Sequence, residues 1–409
     1  MRQKIVIIGG GAAGFFAAVN LKLKYPETDV CILEKTSKLL SKVLISGGGR
    51  CNVTNHCLDV HQLVKNYPRG EKELMQVFSR FNVKDTIEWF ISHGVPLKTE
   101  PDNRMFPVSN RSETIANCFL DLAKKLNIRI QLKTEVTDIL KTENFILKTS
   151  QGEIPANKII ISAGGHAKPE AYNFIKKLGH TIINPIPSLF TINLPSDNIK
   201  KELQGVSVKQ AKVSIADTRF FYEGPVLITH WGLSGPAVLK LSAFAAAYFH
   251  NAGYNSTILV NWTGDLKKHE AEEQLMMLKK TLTRQLVSNA AAFDLPKRLW
   301  QYLLQKAGIA DDISWSNLQN QMILQLAKLL CEDAFHMQGK TTFKEEFVTA
   351  GGVDLKEIDF KTMESKKIPG VYFCGEVLNI DGITGGFNFQ AAWSTAHLAA
   401  ISAGMKNFD

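Results

Sequence analysis

The chain has 409 residues, 45% of them hydrophobic and 21% charged, with a formal net charge of +9 at neutral pH. This composition excludes a disordered or fibrous polypeptide and leaves room for two or three domains with a large buried core. No apolar run approaches the roughly 20 residues that span a bilayer, and the start, MRQKIVIIGGGAAG, runs strand-like residues straight into glycines instead of forming a secretion signal, which reads as cytoplasmic.

Six cysteines (Cys31, Cys51, Cys57, Cys118, Cys331, Cys374) stand without a CxxC pair, so reduced thiols are expected. The ten histidines show no HExxH or comparable spacing, and no metal is expected. The positive balance favours anionic partners such as dinucleotides, acidic metabolites or RNA.

Lys4 to Ile8 form an apolar run with the pattern of a strand buried on both faces, followed by Gly9-x-Gly11-x-x-Gly14 and a helical pattern, FFAAVNLKLKY. Gly9 permits a tight turn, Gly11 lets the backbone approach a pyrophosphate, Gly14 allows close helix packing, and Ala12 and Ala13 keep the helix start small. The helix N-terminus supplies free N–H groups to an anion. The next strand, VCILE, ends in Glu34, about 20 residues beyond the glycines, where a carboxylate accepts hydrogen bonds from an adenosine ribose and opposes a 2′-phosphate. Lys35 and Lys42, just downstream, are placed with the cofactor-binding residues.

A second glycine-rich stretch, SGGGRCNVTN, spans Ser46, Gly47, Gly48, Gly49, Arg50, Cys51 and Asn52 through Asn55. It lacks a buried strand before it and a clear helix after it, so it reads as backbone passing the same dinucleotide. A helical excursion is expected from about Val60 to Cys118, then a strand-rich stretch from Ile128 to Thr149 in which Val136 is placed near the cofactor. ANKIIISAGG ends an apolar strand in Ala163, Gly164 and Gly165, small residues that suit close backbone approach.

From Leu189 the pattern changes to short strands (TINLP, VKQAKVSIA, RFFYEGPVLIT, STILVNW), suggesting a small barrel or sandwich. Helical spacing follows in AEEQLMMLKKTLTRQL, PKRLWQYLLQKAG and NLQNQMILQLAKLL. The expected organisation is therefore a first domain segment at 1–188, an inserted domain at 189–346 (β-rich 189–263, helical 264–346), and a return to the first domain at 347–409. The insertion reads as a substrate cap, or alternatively as a stability or dimerisation module. In the last segment a strand delivers Gly375 and Glu376, Asp381 follows, and Gly385, Gly386, Phe387 and Asn388 lead into a helix. An acid reaching a cofactor hydroxyl, followed by a helix N-terminus, suits the ribityl chain and ring edge of a flavin.

These segments resemble the flavoproteins of the glutathione reductase and fumarate reductase superfamily, and more closely the BaiN-like, or YhiN-type, NAD(P)/FAD-dependent oxidoreductases. GGGAAG, SGGGRCNVTN, RMFPVSNRS (Arg104 to Ser112), THWGLSGPAVLKLS (Thr229 to Ser242), FVTAGGVDL, TMESK and the GE…DG…GGFN tail carry the resemblance nearly end to end. It departs at Asn379 and Ser41, where Asp and Gly are usual. The resemblance implies an α/β fold with a Rossmann-like FAD-binding domain interrupted by an inserted β-rich and helical domain, and FAD as cofactor. It also implies NADH or NADPH as a transient donor, although no second strand-preceded GxGxxG is present. The implied reaction is reduction of a polarised C=C bond in a ring, the substrate being a steroid-like small molecule or a uridine of ribosomal RNA. Flavin-dependent amine oxidation, or RNA binding with structural FAD, are the alternatives. Oligomeric state is left open.

Arg50 reads as a flavin-edge partner, or as a structural arginine. Cys51 reads as a catalytic thiol near the flavin, or as a small buried thiol; a redox pair with Cys57 is a third option. Asn52 and Asn55 suit side-chain bonds that organise the turn. Arg104, Asn110 and Arg111 occupy a polar loop that is either near substrate or solvated. His230, ahead of a helix-starting Ser-Gly-Pro, is a candidate acid, or structural.

Overall fold

The computed structural model describes residues 2–289, 292–341 and 348–405. Near-continuous aliphatic runs at Lys4–Ile8, Asp29–Leu33 and Lys158–Ile161 make strands that need cover on both faces, and these form the centre of a seven-stranded sheet. Its order is Ile358–Asp359, Glu364–Ser365, Val371–Phe373, Lys158–Ile161, Lys4–Ile8, Asp29–Leu33, Arg129–Gln131. The last five are parallel to their neighbours, and the Glu364–Ser365 edge runs antiparallel. Helices Ala12–Lys24 and Phe387–Gly404, from opposite ends of the chain, pack together. Phe16 and Trp393 stand 5.3 Å apart between them, and Trp89 lies 4.7 Å from Phe16.

The stretch from Val60 to Cys118 departs from the helical expectation. Helices Val60–Val64, Glu71–Phe78, Val83–Ser92 and Ser112–Lys125 are present, but Leu97–Thr99 and Arg104–Pro107 form a hairpin that also pairs with Thr54–Asn55. Pro96 and Pro101 remove N–H groups a helix would use, and Asn103, at φ +64°, takes the left-handed position of the connecting turn.

The chain divides into two compact units, Met1–Ser188 with Lys344–Asp409, and Leu189–Phe343. The expected return at 346/347 lies outside the described residues. The second unit has its own core, with Trp262, Trp300 and Trp315 fully buried. Its strands make one antiparallel seven-stranded sheet in the order Asp333–Gln338, Asn255–Asn261, Ser207–Ile215, Phe221–Ile228, Gly232–Ser234, Thr191–Asn193, Lys340–Thr341. The two ends of this order, Asp333–Gln338 and Lys340–Thr341, are joined by Gly339 alone, whose N–H donates to the Tyr254 carbonyl (2.8 Å) and whose carbonyl accepts from the Asn193 N–H (3.3 Å), so the sheet closes on itself as the small barrel expected, with helices Pro236–Phe244 and Asn320–Glu332 packed against its strands. The expected helical tail of this unit also contains a strand, Asp333–Gln338, whose residues alternate strictly between buried and exposed.

Candidate functional site

At the carboxyl ends of the parallel strands three segments lock together through residues that tolerate no added carbon. Gly9 has φ +113°, and a Cβ there would lie 2.3 Å from the Ser162 carbonyl oxygen. One on Gly14 would lie 1.9 Å from the Gly9 oxygen, and one on Gly375 2.7 Å from the Ala13 Cβ. The Ser162 N–H donates to the Ile8 carbonyl (2.9 Å) and the Cys374 N–H to Ile161 (3.0 Å), which sets the three strand ends side by side. Gly11 is different. Its backbone lies in the extended region, and a methyl built on it meets no protein atom within 4 Å. Neither conformation nor packing requires glycine there. What glycine preserves is backbone access from outside the chain, directly ahead of helix Ala12–Lys24, which fits the phosphates of a dinucleotide.

Glu34 closes the turn from the next strand. Its Oε2 accepts from the Gly10 N–H at 2.9 Å and its Oε1 from the Thr36 N–H at 2.8 Å. Each oxygen keeps a lone pair for a ribose hydroxyl. Glu34 lines a cleft with Gly9, exposed Lys35, Val136, Ala163 and His166. His166 was not foreseen, although it directly follows the Ala-Gly-Gly strand end that was. Its backbone N–H donates to the Tyr172 hydroxyl at 2.9 Å.

Glu376 follows Gly375 in a short 3-10 turn. Its Oε2 is 2.5 Å from Lys42 Nζ, and its Oε1 accepts from the Thr349 N–H at 3.1 Å. Gly165 packs on this carboxylate so tightly that a Cβ would lie 2.7 Å from Glu376 Cδ. Gly164, at φ +78°, is open to its surroundings.

The SGGGRCNVTN stretch answers for its own glycines. Gly47, Gly48 and Gly49 have φ of +59°, +67° and +80°, three consecutive left-handed residues that unwind the end of helix Ser41–Gly49. Ser46 Oγ donates to the Val43 carbonyl at 3.0 Å. Beyond the turn, residues 52 to 55 are sewn to the C-terminal helix. With its amide oriented to satisfy both neighbours, the Asn52 carboxamide accepts from the Gly386 N–H (2.9 Å) and donates to the Thr54 carbonyl (3.0 Å). Asn55 Nδ2 donates to the Gly385 carbonyl (3.0 Å), and Trp393 Nε1 to the Val53 carbonyl (2.9 Å).

Several expected roles are corrected. Arg50 has an acceptor within the protein: NH1 lies 2.6 Å from Glu100 Oε1, and its guanidinium stacks 4.0 Å over Phe106. Glu100 lies 50 residues on, so sequence proximity could not reveal it. Cys51 is fully buried, at φ +60°, and burial pushes its thiol up to about 12, with a hydrogen bond to Ser46 only partly opposing this. It holds its proton at neutral pH and is no thiolate nucleophile. Cys51 and Cys57 are both free thiols. Asp381 does not reach toward a ligand: it is fully buried, paired through both oxygens with Arg69 and accepting from Ser188 Oγ at 2.7 Å. Phe387 turns its ring onto Tyr67, and the Asn388 carboxamide clamps both the N–H and the carbonyl of Gly382 at 2.9 Å. Only the backbone of these two residues is available at the helix start.

His230 lies in the second unit, exposed on a turn where the Thr229 N–H donates to the Gly232 carbonyl at 2.8 Å. Its ring stands 4.7 Å from that of Trp231. Arg104 joins the Glu100 cluster (3.4 Å) and also pairs with Asp102 at 2.6 Å. Among the described residues no group of three or more His, Cys, Asp or Glu could hold a metal ion, and no helix is long and apolar enough to cross a membrane.

The family model described as HI0933-like protein Rossmann domain matches residues 3–402. The chain is 30% identical, over 97% of each sequence, to the ribosomal RNA dihydrouridine synthase of Haemophilus influenzae. It is 26% identical, over 98% of this chain and 99% of the other, to the 3-dehydro-bile acid delta(4,6)-reductase of Clostridium scindens. Its fold is similar to that of the 3-ketosteroid delta1-dehydrogenase of Sterolibacterium denitrificans, with a TM-score of 0.53, 11% identity, and coverage of 98% and 99% of the two chains.

Proposed function

The chain belongs to the HI0933-like protein family and is an oxidoreductase, and from that premise we propose that it binds FAD and saturates a polarised C=C bond in a ring. The observation that carries the cofactor assignment is Gly11, a glycine that nothing inside the protein demands, standing at a helix start between Gly9 and Gly14. Glu34 offers lone pairs for the adenosine ribose, Val136 and Ala163 line the same cleft, and Glu376 offers its carboxylate to a hydroxylated chain. The first-turn N–H groups of helix Phe387–Gly404 lack intrahelical partners by geometry and suit an electron-rich ring edge.

Bound there, FAD supplies hydride transfer between a nicotinamide donor and an activated double bond. The chain's own contribution is positioning. Residues 52–55 fix the start of the C-terminal helix, and the Lys42–Glu376 pair ties helix Ser41–Gly49 to the Gly375 turn. The names of the two relatives both describe saturation of a ring double bond, which supports this reaction class, with a steroid-like molecule or a uridine of ribosomal RNA as substrate.

The visible spectrum of the purified protein is the test. Bands of oxidised flavin that bleach anaerobically with NADH or NADPH are expected. A colourless protein that also fails to bind added FAD overturns the assignment, and bleaching by an amine instead of a nicotinamide replaces reduction with amine oxidation.

A further inference from the structure

Among the described residues, His166 and Glu135 are the titratable side chains of the cleft that the sequence motifs leave without a role, and His166 is the one that could carry a positive charge toward an anion. It stands immediately beyond the Ala163-Gly164-Gly165 strand end and lines the same wall as Gly9, Glu34 and Lys35. Its position is fixed from behind, because its N–H is held by the Tyr172 hydroxyl at 2.9 Å and its ring meets the Tyr172 ring edge-on at 5.8 Å. The charged groups around it come from four segments: Lys35 after the second strand, Lys42 on helix Ser41–Gly49, Glu376 after the Gly375 turn, and Glu34 with Glu135 along the cleft. Two ammonium groups thus stand near the ring, and Lys42 is itself matched by Glu376.

Resting on the FAD reading above, we propose that His166 is a cofactor-binding residue whose ring takes up a proton as the dinucleotide phosphates enter the cleft, so that FAD retention depends on pH. Burial, then Lys35, hold the free imidazole below its ordinary value, with Lys42 adding to this and a backbone hydrogen bond to Ala163 opposing it. A pyrophosphate carries two negative charges. Placed beside the ring it reverses the field of the lysines and favours the imidazolium. By linkage, binding is then tightest below the free imidazole's value and weakens as pH rises through the value of the bound form.

The test is flavin release from the full-length holoprotein on dilution, followed by the fluorescence of free FAD at pH 5.5 and pH 8. Wild type is expected to hold FAD more tightly at the lower pH, by up to about tenfold for a rise of about one unit on binding. His166→Gln should lose that dependence, and His166→Lys, which keeps a cation, should hold FAD tightly at both values. Equal retention by wild type at the two pH values, or an undiminished pH effect in His166→Gln, overturns the proposal while leaving the cofactor assignment intact. A wild type that neither carries nor binds FAD overturns both.

Discussion

Gly375 rests against Ala13 so closely that a Cβ on Gly375 would lie 2.7 Å from the Ala13 Cβ. One residue ends a strand near the C-terminus and the other opens the first helix, so this contact joins the two halves of the dinucleotide site. Gly375 also has φ +74°, a conformation that side chains resist. Its N–H is held by Thr395 Oγ1 at 3.0 Å, which leaves the turn little room to yield.

Gly375→Ala is therefore expected to cost roughly 1–3 kcal/mol of stability through overpacking, and to lower flavin content as Ala13 is pushed from the Gly11 turn. Urea unfolding and the flavin-to-protein absorbance ratio measure the two effects. Unchanged flavin content would show that the contact does not shape the site.

The Arg69–Asp381 pair should behave as a buried structural bond and not as a ligand contact. Arg69→Met leaves a fully buried carboxylate with Ser188 as its remaining side-chain partner among the described residues and is expected to cost about 3 kcal/mol. The double variant Arg69→Met with Asp381→Leu should recover part of that loss, as a double-mutant cycle in urea would reveal. A larger loss in the double variant than in Arg69→Met alone would contradict a purely pairwise role.

Acid should weaken the edge of the main sheet. His180, buried, has Nδ1 at 3.0 Å from Glu357 Oε2 and Nε2 at 3.0 Å from Ser365 Oγ. Burial raises the Glu357 carboxyl, but hydrogen bonds from Lys367, Thr181 and His180 outweigh this and hold it at about 2, against an ordinary 4.5. A carboxyl depressed in the folded state contributes stability above pH 4.5, and that contribution is lost as pH falls toward 2; the shift corresponds to about 3 kcal/mol at most. His180 is lowered by burial, so its contribution is lost as pH falls through 6.5. Glu357→Gln should lower Tm near pH 7 and flatten the fall in Tm between pH 5 and 3. A wild-type Tm that stays constant from pH 7 to 3 would contradict both assignments.

Cys51 should be chemically silent. Native protein treated with iodoacetamide at pH 8 is expected to label half-buried Cys57 before fully buried Cys51, as peptide mass mapping would detect. Cys51→Ala should keep flavin content and turnover within about threefold, where loss of a catalytic proton donor costs roughly a hundredfold or more.

Much of the cofactor site is legible in the sequence because it is built from local rules. A buried strand, a glycine turn and a helix start are set by thirteen consecutive residues, Lys4 to Phe16, within which Gly14 packs on the Gly9 carbonyl and Gly11 leaves its backbone open. The same locality misled at the functional side chains. Arg50 and Asp381 looked available because their partners, Glu100 and Arg69, are 50 and 312 residues away, and a carboxylate's availability depends on who already occupies its oxygens. Cys51 looked reactive by its position in a motif, whereas its proton affinity is set by the desolvation that only a packed interior imposes. Strand Asp333–Gln338 was hidden at the end of a helical stretch, since pairing with Asn255–Asn261 is a property of the sheet and not of six residues. The sequence by itself determined the family, the nucleotide turn and the order of elements, because short-range sterics and hydrophobic periodicity act along the chain. Only the tertiary structure decided which charges are spent on one another and brought His166 to the cleft, because burial and ion pairing act through space.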